Sequence, residues 1–153
     1  MKKLAYLAPL TALLLISTVF AISFRADGGT IATIGTDTSF ISSDVHFSAW
    51  SNGGQGAASL QATGVTPSGS LVRVYGNYVQ TSVIVNDATT FSATASGTAT
   101  YWKKGILPKK EVSSITYTLD KTTNLVSISG SVGTGVNLKA ISISGVPASI
   151  LVP

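Results

Sequence analysis

Cysteine is missing from this 153-residue chain, so no disulfide fastens its fold and no thiolate is at hand as nucleophile or metal ligand. Charge is scarce as well: Asp, Glu, Lys and Arg together make up 10% of the residues. His46 is the only histidine, which leaves a zinc site almost no nitrogen or sulfur ligands to draw on. Six carboxylates are spread along the whole chain, a poor basis for paired acid–base work of the glycosidase type. Gly28-Gly29 and Gly53-Gly54 lack the Lys and Ser/Thr that would make a phosphate loop, and they read as turns. Basic residues outnumber acidic ones by ten to six, but two of the ten are Lys2 and Lys3. Without that pair the excess is too small to imply a nucleic-acid partner. No Asn-x-Ser/Thr sequon occurs, so N-linked glycans are not expected.

What remains is a chain that is 44% hydrophobic, of single-domain length, with enough apolar matter for a core. Residues 1–21 read as an export signal. Lys2 and Lys3 form a positive start, residues 4–16 are apolar apart from Pro9 and Thr11, and Val19-Phe20-Ala21 suits a signal peptidase. The uncharged run from Leu4 to Phe24 also approaches the roughly 20 residues of a membrane span. That leaves a retained anchor as the alternative, although Pro9 and the Ile16-Ser17-Thr18-Val19 end make a poor helix. Export to the cell surface or the medium is the expected destination, with membrane contact only through this leader.

From residue 22 onward a period of two dominates. Phe91, Ala93, Ala95, Gly97, Ala99 and Tyr101 alternate with Ser92, Thr94, Ser96, Thr98, Thr100 and Trp102, giving one apolar and one hydroxyl-bearing strand face. Ile115, Tyr117 and Leu119 repeat the pattern, and so do Val126, Ile128, Gly130 and Val132. Earlier, Val45, Phe47 and Ala49 point one way and Asp44, His46, Ser48 and Trp50 the other. Residues 71–78 and 80–85 read as two strands, with Val83-Ile84-Val85 buried on both faces. Gly145-Val146-Pro147 reads as a turn. Eight to ten short strands without an amphipathic helix predict an all-β antiparallel two-sheet sandwich over residues 22–153, of jelly-roll or immunoglobulin-like type. A closed up-and-down barrel is the alternative. A membrane barrel is not expected, because its strands run to about 9–11 residues and most candidates here read as shorter.

Three groups of residues invite a functional reading. Ser42, Asp44, His46 and Ser48 share one strand face, but i and i+2 side chains stand about 6.5–7 Å apart, and no nucleophile elbow accompanies them. A solvated face is expected there, and no catalysis. Calcium has Asp27, Asp37 and the turn 120–124 as candidate oxygen ligands, but Asp and Asn in turns usually cap backbone groups, so no cofactor is expected. The segment 102–110 places Trp102, Lys103, Lys104, Lys109 and Lys110 at one hairpin end. It reads either as a contact for an acidic partner, anionic glycan or phospholipid headgroup, or as a solvated turn whose lysines block strand addition. Trp50, Tyr75, Tyr78 and Tyr101 are candidates for a sugar platform, or equally for core and cross-strand pairs.

The apolar, strand-like segment 22–34, with Ile22, Phe24, Ile31 and Ile34, suggests a donor strand that fills a neighbour's open sheet edge. In the leader 1–21, that segment and the Ser/Thr-rich β body, the chain resembles the donor-strand fibre subunits of biofilms, the camelysin-like bundling pilins of bacteria and archaea. The resemblance implies a secreted structural subunit that polymerises by strand exchange with copies of itself. A type IV pilin-like subunit with a retained N-terminal helix is a further alternative, although Lys3-Leu4-Ala5 departs from the cleavage signal of that group. A reading of a different class is a monomeric secreted module that binds carbohydrate or a surface polymer through Trp102, Trp50 and nearby tyrosines.

Overall fold

The computed structural model describes residues 21–152; the leader expected over 1–21 lies, apart from Ala21, outside the described residues. Nine strands follow one another: β1 (Ile22–Asp27), β2 (Thr30–Gly35), β3 (Ser42–Asn52), β4 (Gln55–Val65), β5 (Leu71–Asn86), β6 (Thr90–Lys103), β7 (Ile106–Asp120), β8 (Leu125–Val132) and β9 (Lys139–Val152). Each pairs antiparallel with its neighbour from β3 to β9, and β9 then pairs with both β1 and β2. β1 also pairs with β3, so the wall closes. The architecture is an eight-stranded antiparallel barrel, not a two-sheet sandwich.

β1 and β2 act as one bent strand in that wall. Both run antiparallel to β9, from Ser23 opposite Val152 to Gly35 opposite Ala140. The bend is at Gly28 and Gly29, with φ of 95° and 82°, a conformation that an L side chain adopts only with strain. A Cβ on Gly29 would also lie 2.9 Å from the Val146 Cα, so the missing side chain leaves room for β9 at the bend.

The sandwich expectation failed because it cut long strands into short ones. Residues 71–86 form a single strand of 16 residues, with register shifts near Thr81 and Ile84 in place of a break. Val83 and Ile84 are exposed, contrary to the expectation of burial on both faces. β9 runs straight through Gly145-Val146-Pro147 for 14 residues, and the segment 103–110 is a hairpin turned at Lys104-Gly105. A bulge absorbs one residue without ending a strand, so Gly and Pro here mark irregularities within strands. Long strands tilt, and tilt is what closes a sheet. A path of ladder partners from Phe24 through Ala49, Ala58, Tyr78, Gly97, Ser113, Val132 and Lys139 ends next to Ala140, the partner of Gly35. It returns to the first strand far from where it left.

The inward faces agree with the alternation. Val45, Phe47, Phe91, Ala93, Ile115, Tyr117, Leu119, Val126 and Ile128 are all buried. An eight-stranded barrel has an interior that side chains just fill. Phe24, Phe47, Phe91 and Tyr117 meet there with ring centroids 5.1–6.3 Å apart, and a buried side chain of this size contributes about 1.5–3 kcal/mol. The Tyr117 hydroxyl, carried into this apolar cluster, has no hydrogen-bond partner among the described residues. Burial pushes its pKa up to about 12.

Outward positions carry mostly Ser, Thr, Asn, Gln and charged residues. Strand length therefore does not argue against a membrane barrel, but the facing does: a lipid-spanning barrel is apolar outside and polar within, the reverse of this wall. Among the described residues no helix is long and apolar enough to cross a membrane.

The two ends are built differently. One end carries the turns between β3 and β4, β5 and β6, and β7 and β8, and the last two are held by side-chain caps. Asp87 accepts hydrogen bonds from the Thr89 and Thr90 amides, and Asp120 from those of Thr122 and Thr123. At the other end Phe40 folds over the mouth, its ring where a Cβ on Gly64 would sit. Lys103 of β6 reaches Asp37 of the β2–β3 loop at 2.8 Å, and both side chains are largely covered.

Candidate functional site

Alternation puts Ser23, Arg25 and Asp27 on the outside of β1. The ladder then sets Arg25 beside Ser48, Ser48 beside Ser59, and Ser59 beside Asn77. One step along, Asp27 is beside His46, His46 beside Gln61, and Gln61 beside Tyr75. One step the other way, Trp50 stands between Ser23 and Ala57. Small side chains at Ser48, Ser59 and Ala57 therefore lie among larger ones, and the wall is indented there. Two depressions of about 370 and 280 Å³ share Arg25, Ser48 and Ser59 and form one groove across β1, β3, β4 and β5. Trp50, 47% exposed, borders one end of this groove, and His46 borders the other.

His46 is held between two carboxylates. Its Nδ1–H donates to Asp27 Oδ1 at 2.5 Å, and Nε2 is 3.4 Å from Asp44 Oδ2. The hydrogen bond to Asp27, reinforced by the charge of Asp44, raises the imidazole above its ordinary pKa of 6.5. A ring with both nitrogens turned to carboxylates has none left to take a proton from Ser42 or Ser48, so this constellation does not work as a hydrolytic triad. Arg25 makes no hydrogen bond or ion pair among the described residues, and its guanidinium is exposed in the middle of the groove. Five fixed donors on a planar group suit paired hydroxyls or a carboxylate.

The residues singled out in the sequence are dispersed. Ile22, Phe24, Ile31 and Ile34 are buried in the barrel's own core, and their strands are paired within the chain. Tyr78 and Tyr101 also point inward, which raises both phenols by desolvation. Trp102 is on β6 beside Arg73, near the opposite end of the wall from Trp50, so the two tryptophans do not form one platform. Lys103 is engaged by Asp37, whose hydrogen bond raises its pKa. Lys109 lies 3.8 Å from Glu111, and Lys104 and Lys110 are exposed.

The calcium candidates have partners of their own. Asp27 holds His46, Asp37 holds Lys103, and Asp120 caps the turn it opens. Among the described residues no group of three or more His, Cys, Asp or Glu side chains is placed to hold a metal. The sequence reading missed Arg25, Gln61 and Asn77 as groove residues. The signal was the outward phase they share with Trp50 and His46, but only the ladder register shows that they are neighbours.

No protein-family model, no curated protein and no solved structure matches this chain.

Proposed function

We propose that this chain is an exported, non-catalytic carbohydrate-binding barrel that holds a saccharide in the groove on its outer wall. One observation carries the reading: a half-exposed Trp50 borders a shallow trough whose central cation, Arg25, has no partner among the described residues. A sugar ring offers an apolar C–H face and a rim of hydroxyls. Trp50 would take the face, while Arg25, Gln61, Asn77 and the serines of the floor take hydroxyls. A shallow open trough fits a segment of a chain polymer better than an enclosed small molecule.

The strand-exchanged fibre rested on an open edge waiting for a neighbour's strand. In the closed wall, β1 is hydrogen-bonded on one side to β3 and on the other to β9. Exchange would require both ladders to be broken first, and no observation favours it.

The test is affinity electrophoresis and calorimetry of the full chain against a panel of neutral and acidic polysaccharides. Binding to at least one of them is expected, with Trp50→Ala weakening it about tenfold, the loss of roughly 1.4 kcal/mol of ring stacking and burial. Trp102→Ala should leave it unchanged. Retention of full affinity by Trp50→Ala, or no binding across the panel, would overturn the proposal. Sedimentation should give one species at rising concentration; lengthening assemblies would return the fibre reading.

A further inference from the structure

The end of the barrel sealed by Phe40 has a surface that the groove does not use. Four connections meet there: the loop from β2 to β3, the turn from β4 to β5, the β6–β7 hairpin, and the loop from β8 to β9. Each of these except the β4–β5 turn presents a large aliphatic side chain to water. Ile41 is 69% exposed, Leu107 89% and Val136 100%. Ile106 and Leu138 are exposed next to them. Isolated exposed aliphatics are ordinary, but three on separate connections at one end of a closed barrel make a common apolar crown.

Charge around this crown has one dominant sign. Lys103, Lys104, Lys109, Lys110, Lys139 and Arg73 stand on its strands and turns, against Asp37, Asp44 and Glu111. Asp37 is consumed by Lys103, and Lys139 lies over the Tyr101 ring at 5.7 Å. Lys104 and Lys110 have no partner among the described residues, and Lys109 has only its distant contact with Glu111. The turns at the opposite end are different, holding Asp87, Asp120 and Lys121 among Asn, Thr and Gly.

We infer that this end docks on an anionic lipid bilayer, with Leu107, Val136 and Ile41 entering the headgroup boundary and Lys104, Lys109 and Lys110 on acidic headgroups. A collar of lysines around aliphatic tips matches the order in which a bilayer presents its chemistry, negative charge outside and hydrocarbon beneath. A soluble polyanion satisfies the lysines but gives the aliphatic tips nothing to enter. The protruding hairpin is suited to the task, because residues 106–110 of β7 are exposed and pair only with β6. They extend past the last β8 partner at Ser113.

The full chain should sediment with phosphatidylcholine vesicles containing phosphatidylserine and remain in the supernatant with phosphatidylcholine alone. Lys104→Gln combined with Lys110→Gln should cut the bound fraction severalfold. Leu107→Ser combined with Val136→Ser should do so to a similar extent, with thermal unfolding unchanged in both variants. Raised salt should weaken vesicle binding but leave part of it. Absence of binding to acidic vesicles would overturn the inference. Full binding by the Leu107→Ser, Val136→Ser protein would overturn it too, by showing a contact made of charge alone. Equal capture of both proteins by soluble dextran sulfate, with no vesicle binding, would assign the lysines to a polyanion instead. Trp50→Ala should leave vesicle binding intact, so this result and the saccharide result fail separately.

Discussion

The two ends of this barrel solve the same problem by opposite means. Three hairpins must reverse direction at one end, and two of them use carboxylates that bond backbone amides within two or three residues: Asp87 to Thr89 and Thr90, Asp120 to Thr122 and Thr123. At the other end the closure is long-range, with Phe40 over Gly64 and Lys103 on Asp37, 66 residues away in sequence. The difference teaches where this protein has surface to spare. Local caps consume the polar side chains of their turns, whereas a mouth plugged from within leaves Lys104, Lys110, Leu107 and Val136 with no structural duty.

Both ends rest on one core, and the largest effect should come from there. Phe47 touches the rings of Phe24 and Tyr117, so Phe47→Ala should cost about 3–5 kcal/mol. Urea unfolding followed by Trp50 and Trp102 fluorescence and by circular dichroism should shift as a single transition. Separate transitions would break the comparison, because the ends would then belong to independently stable halves.

A smaller effect should distinguish the ends by acid. The Thr89 and Thr90 amides hold Asp87, and the Thr122 hydroxyl with the Thr122 and Thr123 amides holds Asp120, below the ordinary pKa of 3.8. A carboxylate with a depressed folded pKa contributes stability that is present above its unfolded value and fades as pH falls through the folded one. The Asp87→Ala, Asp120→Ala protein should therefore be less stable than the parent at pH 7, and the gap should close as pH drops below 3.8. Lys104→Gln at the opposite end should stay within about 0.5 kcal/mol of the parent. A pH-independent gap would show that the aspartates act by something other than their charge.

The smallest effect should be at Tyr117. Its buried hydroxyl has no partner among the described residues, so removing it breaks no hydrogen bond. Tyr117→Phe should be neutral or slightly stabilising in the same urea experiment, with neither end altered. A clear loss of stability would mean that the hydroxyl has a partner after all.

The inside of this protein was legible in its sequence, and the outside was not. Phe91 to Tyr101, Ile115 to Leu119 and Val126 to Val132 announce their buried face by alternation, because a period of two is local information. Closure is not local. The step from sandwich to barrel depended on Gly28-Gly29 bending a strand without ending it, on Gly145-Val146-Pro147 bulging within β9, and on β5 continuing to Asn86. Gly and Pro signal irregularity, and the same residues serve a turn or a bulge. The groove was hidden for a related reason. Trp50 and His46 are visible as outward residues of β3, but Arg25 and Gln61 become their neighbours only through ladders whose register a linear pattern does not contain. Lys103 reads as part of a basic run until Asp37 is found beside it.

The ladder between β1 and β9 has a consequence for the birth of the protein. It joins Phe24 to Ile150, so the wall can shut only after the residues near 150 have left the ribosome. Contacts so distant in sequence form slowly. A nascent chain of this design stays threadable through a narrow conduit for longer than one whose neighbours zip as they emerge, and it needs protection from sticking to its fellows over the same interval.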